Sequence, residues 1–449
     1  MAQNDSLLSY IPIAEIDMGD RFRTEYGDIE QLMYSIEKNG LITPIAVGLT
    51  ETLKIDKKSD KKYTLIAGGR RMHAVTNLKW SVVPAKIYDQ PLSELDYRSI
   101  ELAENFDRKD MTYVEEVTLK RKINNLQIEI HGPKHSRTPG ADGWSQADTA
   151  RLLKESPTNV ARDLKLAQAM EEFPQIGLDK CKNKGDALKL LNSIGKKLDN
   201  SMKSAAYTKD LGPQDRVFKR LVNSYIVQDC FETMSQMPNS TIDFIEIDPP
   251  YAMDLKSKKA ESLTIGYNEM EASDYPKIMQ KLFFECFRIL RPDSWLVCWF
   301  AQEPWFPYIV GWLREEGFKF TLLTGIWIKP SGQTNQPETL LANCYEPFFY
   351  CRKGNPKLNK PGRSNVFEFN PMPPAQKIHP TQRPLAMMTE LYSTFCSPGK
   401  SAYIPFLGSG VGLMAAHSCK INAFGNDLTP EYKEGYTVQL KQYLENHHE

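Results

Sequence analysis

The sequence predicts an α/β protein in three parts: a small α/β domain over 1–110, a helical region over 111–212, and a doubly wound, mostly parallel sheet over 213–449. Three observations lead there. Between Ile11 and Tyr88, short apolar strands such as YTLIAG and VVPAKIYD alternate with a helical stretch. Strand signal then nearly vanishes until about residue 210. Beyond Arg216, apolar strands (TIDFIEI, SWLVCWF, CYEPFFYC, NAFGND) alternate with long amphipathic stretches such as DYPKIMQKLFFECFRIL. At 449 residues the chain also exceeds one ordinary core, so several domains are expected.

In chain order, DIEQLMYSIEKNG repeats its apolar residues at helix spacing and stops on Gly40. His131 and His135 lie in the loop HGPKHSRTPGADGW, where glycine and proline oppose the helical alignment of a metal pair; they read as loop residues, and no metal site is expected. SQADTARLLKESPTNVARDLKLAQAM, residues 145–170, reads as helix, turn, helix. Ala147, Ala150, Leu153, Val160, Leu164 and Leu166 can pack the two helices, leaving Thr158, Asn159 and Arg162 free to reach phosphates and base edges. A generic helical hairpin fits the same pattern. The lysine-rich run from Asp179 to Lys209 reads as a solvated helical face.

Bulk properties narrow the class without choosing it. The formal net charge is zero, which neither requires nor excludes a nucleic-acid partner. No apolar run is long enough for a membrane span and the start carries no secretory leader, so no membrane partner is expected. Eight cysteines occur as singles, without zinc spacing or disulfide density, and point to a reducing, cytoplasmic setting.

The chemistry concentrates at strand ends. IEIDPPYAMD runs a strand into Asp248, and Pro249 and Pro250 cannot continue a sheet ladder, so Asp248 and Tyr251 stand on a stiff platform. In AYIPFLGSGVGLMAAH, Gly408, Ser409 and Gly410 follow a strand and precede a helix, where glycine lets the backbone approach a ligand. Asp427 closes the next strand, where an acid can accept from both hydroxyls of a ribose. Together these describe a nucleoside-cofactor site, although a tight turn and helix cap would use the same glycines. No phosphate-binding lysine follows them, which suits an uncharged or cationic nucleoside such as S-adenosylmethionine. Asp248 and the Pro249 carbonyl could then accept the two hydrogens of an exocyclic amine and localise its lone pair toward a methyl donor, with Tyr251 stacked on a flipped base.

DPPY at 248–251, HPTQRP at 379–384 and PFLGSG at 405–410, in that order, closely resemble the permuted amino-methyltransferases that act on adenine N6 or cytosine N4 in DNA. The resemblance covers roughly 215–449 and implies a Rossmann-like methyltransferase sheet, S-adenosylmethionine as cofactor and double-stranded DNA as partner. By it, Asp248, Pro249, Pro250 and Tyr251 match the catalytic loop; Phe406, Gly408, Ser409 and Gly410 fall in the cofactor loop; Asp427 matches the ribose acid. His379, Pro380 and Thr381 match the segment over the methionine end. The DPPY form is similar to adenine-directed members. Two departures stand out: Ile404 where the family usually has aspartate, and Val411 where it usually has threonine.

The front of the chain resembles the nucleotide-binding fold of ParB-type partition proteins through GLITPIAV at 40–47, IAGGRRMHAV at 66–75 and AENFDRKDMTYVEE at 103–116. Gly68, Gly69, Arg70 and Arg71 correspond to its glycine and arginine box, and Asn105 with Arg108 to its second box; the family usually has glutamate at the position of Gly69. Arginines there suit phosphate, of a CTP-like nucleotide or of a DNA backbone. The 145–170 segment resembles the helix-turn-helix that follows that fold. The expectation is a DNA adenine-N6 methyltransferase, with a homodimer open. Cytosine N4 or RNA methylation, and a non-catalytic, nucleotide-gated DNA-binding protein, are the alternatives.

Overall fold

The computed structural model describes residues 7–18, 28–50, 61–88, 111–134, 143–209, 211–250, 272–334, 336–373, 376–379 and 381–447. The chain forms two compact units, Met1–Leu191 and Asn192–Glu449.

The first unit opens with strands β1 (Leu7–Pro12), β2 (Ile16–Asp17), β3 (Ile45–Leu49), β4 (Tyr63–Ala67) and β5 (Val82–Tyr88), joined in the order β1-β5-β3-β4-β2. Ile45, Val47, Leu65, Val83 and Ala85 are fully buried and form its core with residues of helices α1 (Glu30–Asn39) and α2 (Gly69–Asn77). α1 ends at Gly40, as its periodicity predicts. Gly68, at φ +98°, turns the chain into α2, and a Cβ there would stand only 3.0 Å from Ile45 Cγ2.

Helices α3 (Tyr113–His131), α4 (Gln146–Leu153) and α5 (Pro157–Glu172) follow. Thr112 and Ser145 begin α3 and α4 with reciprocal capping boxes, and Ser156 caps α5 ahead of Pro157. Ala150, Leu153, Val160 and Leu164 pack against Leu119 and Ile123 of α3, and Leu166 is also buried. Ala147 is instead exposed. The inward position is taken by Thr149, whose hydroxyl accepts from Trp144 Nε1 at 2.7 Å and donates to Asn124 Oδ1 at 2.9 Å. His131 stacks on Trp144. Among the described residues no cluster of three or more metal-ligating side chains occurs.

Beneath the α4–α5 turn lies a wholly buried lysine. Lys120 donates to Glu116 at 2.6 Å, Glu155 at 2.8 Å and Asp163 at 2.7 Å, so one ammonium joins α3, the turn and α5. Burial disfavours its charge, but the three carboxylates win and hold its pKa above that of an ordinary lysine. The division between the units falls within α6 (Lys184–Lys209), the lysine-rich run, which buries only Ala187 and Leu190.

The second unit continues with α7 (Arg216–Asn223), β6 (Tyr225–Val227), α8 (Cys230–Gln236), β7 (Ile242–Ile247), α9 (Tyr275–Ile289), β8 (Leu290–Trp299), α10 (Phe306–Glu315), β9 (Gly325–Gln333), β10 (Asn343–Lys353), β11 (Val366–Glu368), α11 (Leu385–Phe395), β12 (Ser401–Ile404), α12 (Val411–Ser418), β13 (Asn422–Asp427) and α13 (Pro430–His447). Its 8-stranded sheet runs β11-β9-β10-β8-β7-β12-β13-β6. The stretch β8-β7-β12-β13-β6 is parallel throughout, whereas β10 is antiparallel to both neighbours. Alternate residues serve opposite cores: Phe244, Val297 and Trp299 join α11 and α12 on one face, while Ile245, Ile247, Leu296 and Cys298 join α9 and α10 on the other. Helices on both faces make the sheet doubly wound, with β7 and β12 flanking the point where strand order reverses. All eight cysteines are free, and among the described residues no helix is long and apolar enough to cross a membrane.

Replacing Lys120 with methionine would leave Glu116 and the buried Asp163 with Lys184 as their remaining cation, at 3.2 and 3.1 Å, and would take from Glu155 its ion pair with Lys120. The variant is expected to lose about 3 kcal/mol of unfolding free energy, measured by denaturant titration at neutral pH.

Candidate active site

The parallel strands deliver their carboxyl ends to one edge, and there a cavity of about 440 Å³ opens. Its walls include Asp248 and Pro249 beyond β7, Phe406 and Gly408 beyond β12, Asp427 at the end of β13, and His379. Pro250, Ser409 and Thr381 line it as well.

The glycine loop is shaped by its neighbours. Gly408 adopts φ +51° and Gly410 φ +73°. A Cβ on Gly410 would stand 2.3 Å from Tyr436 Cδ2, so only glycine fits between β12 and α13. The Gly408 N–H donates to Asp427 Oδ2 at 2.9 Å, and the Thr429 N–H donates to Oδ1 at 2.9 Å. Burial raises the Asp427 carboxyl, and these N–H groups oppose the shift.

His379 faces the loop, its Cγ 3.5 Å from where a Gly408 Cβ would be. Its Nδ1 meets Thr381 Oγ1 at 2.9 Å, and its ring stands edge-on to Tyr432. Burial lowers its pKa to about 4; Asp248 pulls the other way, while Arg383 and Lys377 add to the shift. The ring is therefore neutral at neutral pH and adds no charge of its own to this wall.

Asp248 does not stand alone. Arg383, from the HPTQRP segment, clasps both of its carboxylate oxygens, Nη1 to Oδ2 and Nη2 to Oδ1, the latter at 3.1 Å. The same Nη2 lies 3.1 Å from Glu346 Oε2, and the guanidinium lies 3.8 Å over the Trp299 ring. Two residues before Asp248, Glu246 points to the same face at 3% exposure. Burial drives its carboxyl up to about 7, against the attraction of Arg383 and with repulsion from Asp248 added.

Arg383, Glu346 and Glu246 were not among the residues singled out from sequence. Glu246 had a signal: an acid on an apolar strand at the parity of Phe244 must face inward. Arg383 lies in HPTQRP and Glu346 in CYEPFFYC, but no spacing rule links either to Asp248. Asp229, which caps α8 by accepting from the Phe231 N–H at 2.8 Å, also lines the cavity at the end of β6, next to Asp427. Its signal was an acid at the end of a strand too short to notice. Tyr251, Pro380, Asn105 and Arg108 lie outside the described residues. Ile404 and Val411 are 2% and 7% exposed and join the hydrophobic core, so apolar packing fills the positions where the family usually has polar side chains.

In the first unit, Thr158, Asn159 and Arg162 are exposed on α5. Gly68 and Gly69 are buried at the start of α2. Arg71 donates to the carbonyls of Thr43 at 3.0 Å and Pro44 at 2.6 Å, and Arg70 to that of Asp28 at 2.9 Å. Both arginines of that box thus brace neighbouring loops.

The strand-end cavity thus gathers a glycine loop, the acid that closes the next strand and an acid-proline platform. The DNA methylase family matches residues 242–439, and the ParB N-terminal domain family matches residues 1–106. The chain thus joins a ParB N-terminal domain to a DNA methylase domain of the N6/N4 type. Among curated proteins, the nucleoid occlusion protein of Bacillus cereus (strain AH187) is 33% identical over 160 residues, 35% of this chain and 47% of that protein. The chain spans about half the length of the curated relatives it matches. Among solved structures, the M1.HpyAVI–SAM complex is 22% identical, covering 48% of this chain and 98% of that one with a TM-score of 0.37. The PvuII cytosine-N4-specific DNA methyltransferase is 17% identical, covering 49% and 92% with a TM-score of 0.39.

The raised Glu246 pKa fixes a sign. The folded state holds this proton where the unfolded chain has released it, so the stabilisation is complete below about 4.5 and is lost as pH rises through about 7. Chemical denaturation at pH 5 and pH 8 is expected to show Glu246→Gln gaining on the wild type at the higher pH by on the order of 3 kcal/mol at most.

Proposed function

We propose that this chain methylates the exocyclic amine of a base flipped out of double-stranded DNA, adenine N6 ahead of cytosine N4, with S-adenosylmethionine as the donor. The observation that carries this reading is the meeting of Asp248 and Pro249, the Gly408–Gly410 loop and Asp427 around one cavity at a sheet's switch point.

The residues present fit the cofactor. Gly408 leaves a bare backbone against His379, and Asp427, held by the Gly408 and Thr429 N–H groups, lines the cavity as an acid able to accept from a ribose hydroxyl. Asp229 and Phe231, beyond the neighbouring β6, line the same cavity and would hold the cofactor's base and its amine. A neutral His379, with Asp248 on the same cavity, suits a cationic sulfur. When bound, S-adenosylmethionine supplies a methyl group activated for displacement.

Asp248 and the Pro249 carbonyl hold the target amine through its two hydrogens, so its lone pair turns toward the donor. Pro249 and Pro250 keep these two acceptors in a fixed relation. Tyr251 stacks on the base, while His379, Pro380 and Thr381 close over the methionine end. The DPPY form favours adenine.

The front modules engage DNA in this reading. Thr158, Asn159 and Arg162, exposed near the start of a capped helix behind a packed α4, have the placement of a recognition surface. Gly68–Arg71, whose arginines also brace neighbouring loops, serve with Asn105 and Arg108 as the box that takes phosphate, of DNA or of a CTP-like nucleotide. Residues 1–110, 111–212 and 213–449 are the functional divisions, and eight free cysteines fit a cytoplasmic setting.

Labelled methyl transfer from S-adenosylmethionine to mixed-sequence duplex DNA tests the proposal. The wild type is expected to label the DNA, Asp248→Ala to lose about 100-fold or more in rate, and digestion to yield N6-methyladenine. N4-methylcytosine would correct the base assignment; duplex binding without label would support a purely DNA-binding role.

A further inference from the structure

The two prolines fix the main chain at Asp248 but not its carboxylate, because the terminal torsion of an aspartate is broad. An acceptor meant to select one lone-pair direction on an amine needs that torsion set by something else. Arg383 has the geometry to do so. Its guanidinium, on a side chain only 6% exposed, places Nη1 on one Asp248 oxygen and Nη2 on the other, so the fork and the carboxylate share an orientation.

The fork itself is held. It lies 3.8 Å over the ring of Trp299, the last residue of β8, and its Nη2 also reaches Glu346 on β10 at 3.1 Å. Since β7, β8 and β10 are successive strands, one guanidinium spans three neighbouring strands at the carboxyl edge. Its charge also separates three acids: Asp248, Glu346, which is paired in addition with Lys329, and the buried Glu246 behind them. Lysine could replace neither the two-point clasp nor the guanidinium's contact with the indole.

Resting on the methylase reading above, we propose that Arg383 is the positioning residue for Asp248, aiming its carboxylate at the target amine while taking no part in holding cofactor or DNA. Misplacement of a reacting group by about 1 Å can cost about 100-fold in rate, so this role predicts a loss confined to the chemical step.

The test uses the full chain as wild type, Arg383→Met, Arg383→Lys and Glu346→Gln. S-adenosylmethionine affinity is measured by calorimetry, duplex affinity by fluorescence anisotropy, and methyl transfer in single turnovers with both saturating. The expected result is a rate lower by about 100-fold in R383M, about tenfold in R383K and severalfold in E346Q, with both affinities within about threefold of wild type. Wild-type single-turnover rates in the variants would overturn the proposal. So would a loss of cofactor affinity that saturation fully repairs, which would make Arg383 part of the cofactor wall. If circular dichroism shows R383M unfolded, R383K and E346Q decide by the same criteria. Absence of transfer by the wild type would instead overturn the methylase reading, and this inference with it.

Discussion

The candidate site depends on the parallel register of β7 against β12, in which Ala402 stands opposite Phe244 and Tyr403 opposite Ile245. That pairing brings two segments far apart in sequence to the same edge. Asp248 leaves one strand and Phe406 the other at the same height, and β13 adds Asp427 beside them. An antiparallel pairing would have sent one of these strand ends to the opposite edge of the sheet. Gly425 belongs to this constraint: a Cβ there would stand 2.2 Å from the Ile404 carbonyl, so the β12–β13 approach itself excludes a side chain.

Around that edge the charges are arranged by desolvation as much as by attraction. Burial raises the carboxyls of Glu246 and Asp427 and lowers the imidazole of His379. Each shift moves its group toward neutrality, while direct ion pairs tie Arg383 to Asp248 and Glu346 on the floor. The apolar Ile404 and Val411 extend the same tendency, because they replace polar contacts with core packing.

Much of this was legible in the residues. The period-two strands TIDFIEI and NAFGND became β7 and β13 over nearly the same bounds, and the helix before Gly40 stopped where the glycine required. Less visible were features that depend on three-dimensional meeting. β6, with three residues, is too short for periodicity to register. Ala147 matched the helical pattern, yet Thr149 took the inward place because Asn124 and Trp144 satisfy its hydroxyl there. The partnership of Arg383 with Asp248 joins residues 135 positions apart, and residue type alone carries no trace of that distance. Lys120 is similar: a lysine among acids on a helix reads as a surface pair until the third carboxylate arrives from α5.

Tyr436 gives the order of synthesis a role. Its ring occupies the space that a side chain on Gly410 would need and lies 5.3 Å from Tyr225, whose hydroxyl donates to the Gly408 carbonyl at 2.7 Å; its own hydroxyl donates to the Leu221 carbonyl. The buttress behind the glycine loop is therefore built from residues on both sides of it in the chain. As the ribosome makes this protein, the strand that leads to Asp248 emerges long before α13. The cavity can acquire its native shape only once residue 436 has left the exit tunnel, so a nascent chain stalled short of that point carries the acid-proline platform without a formed pocket beside it.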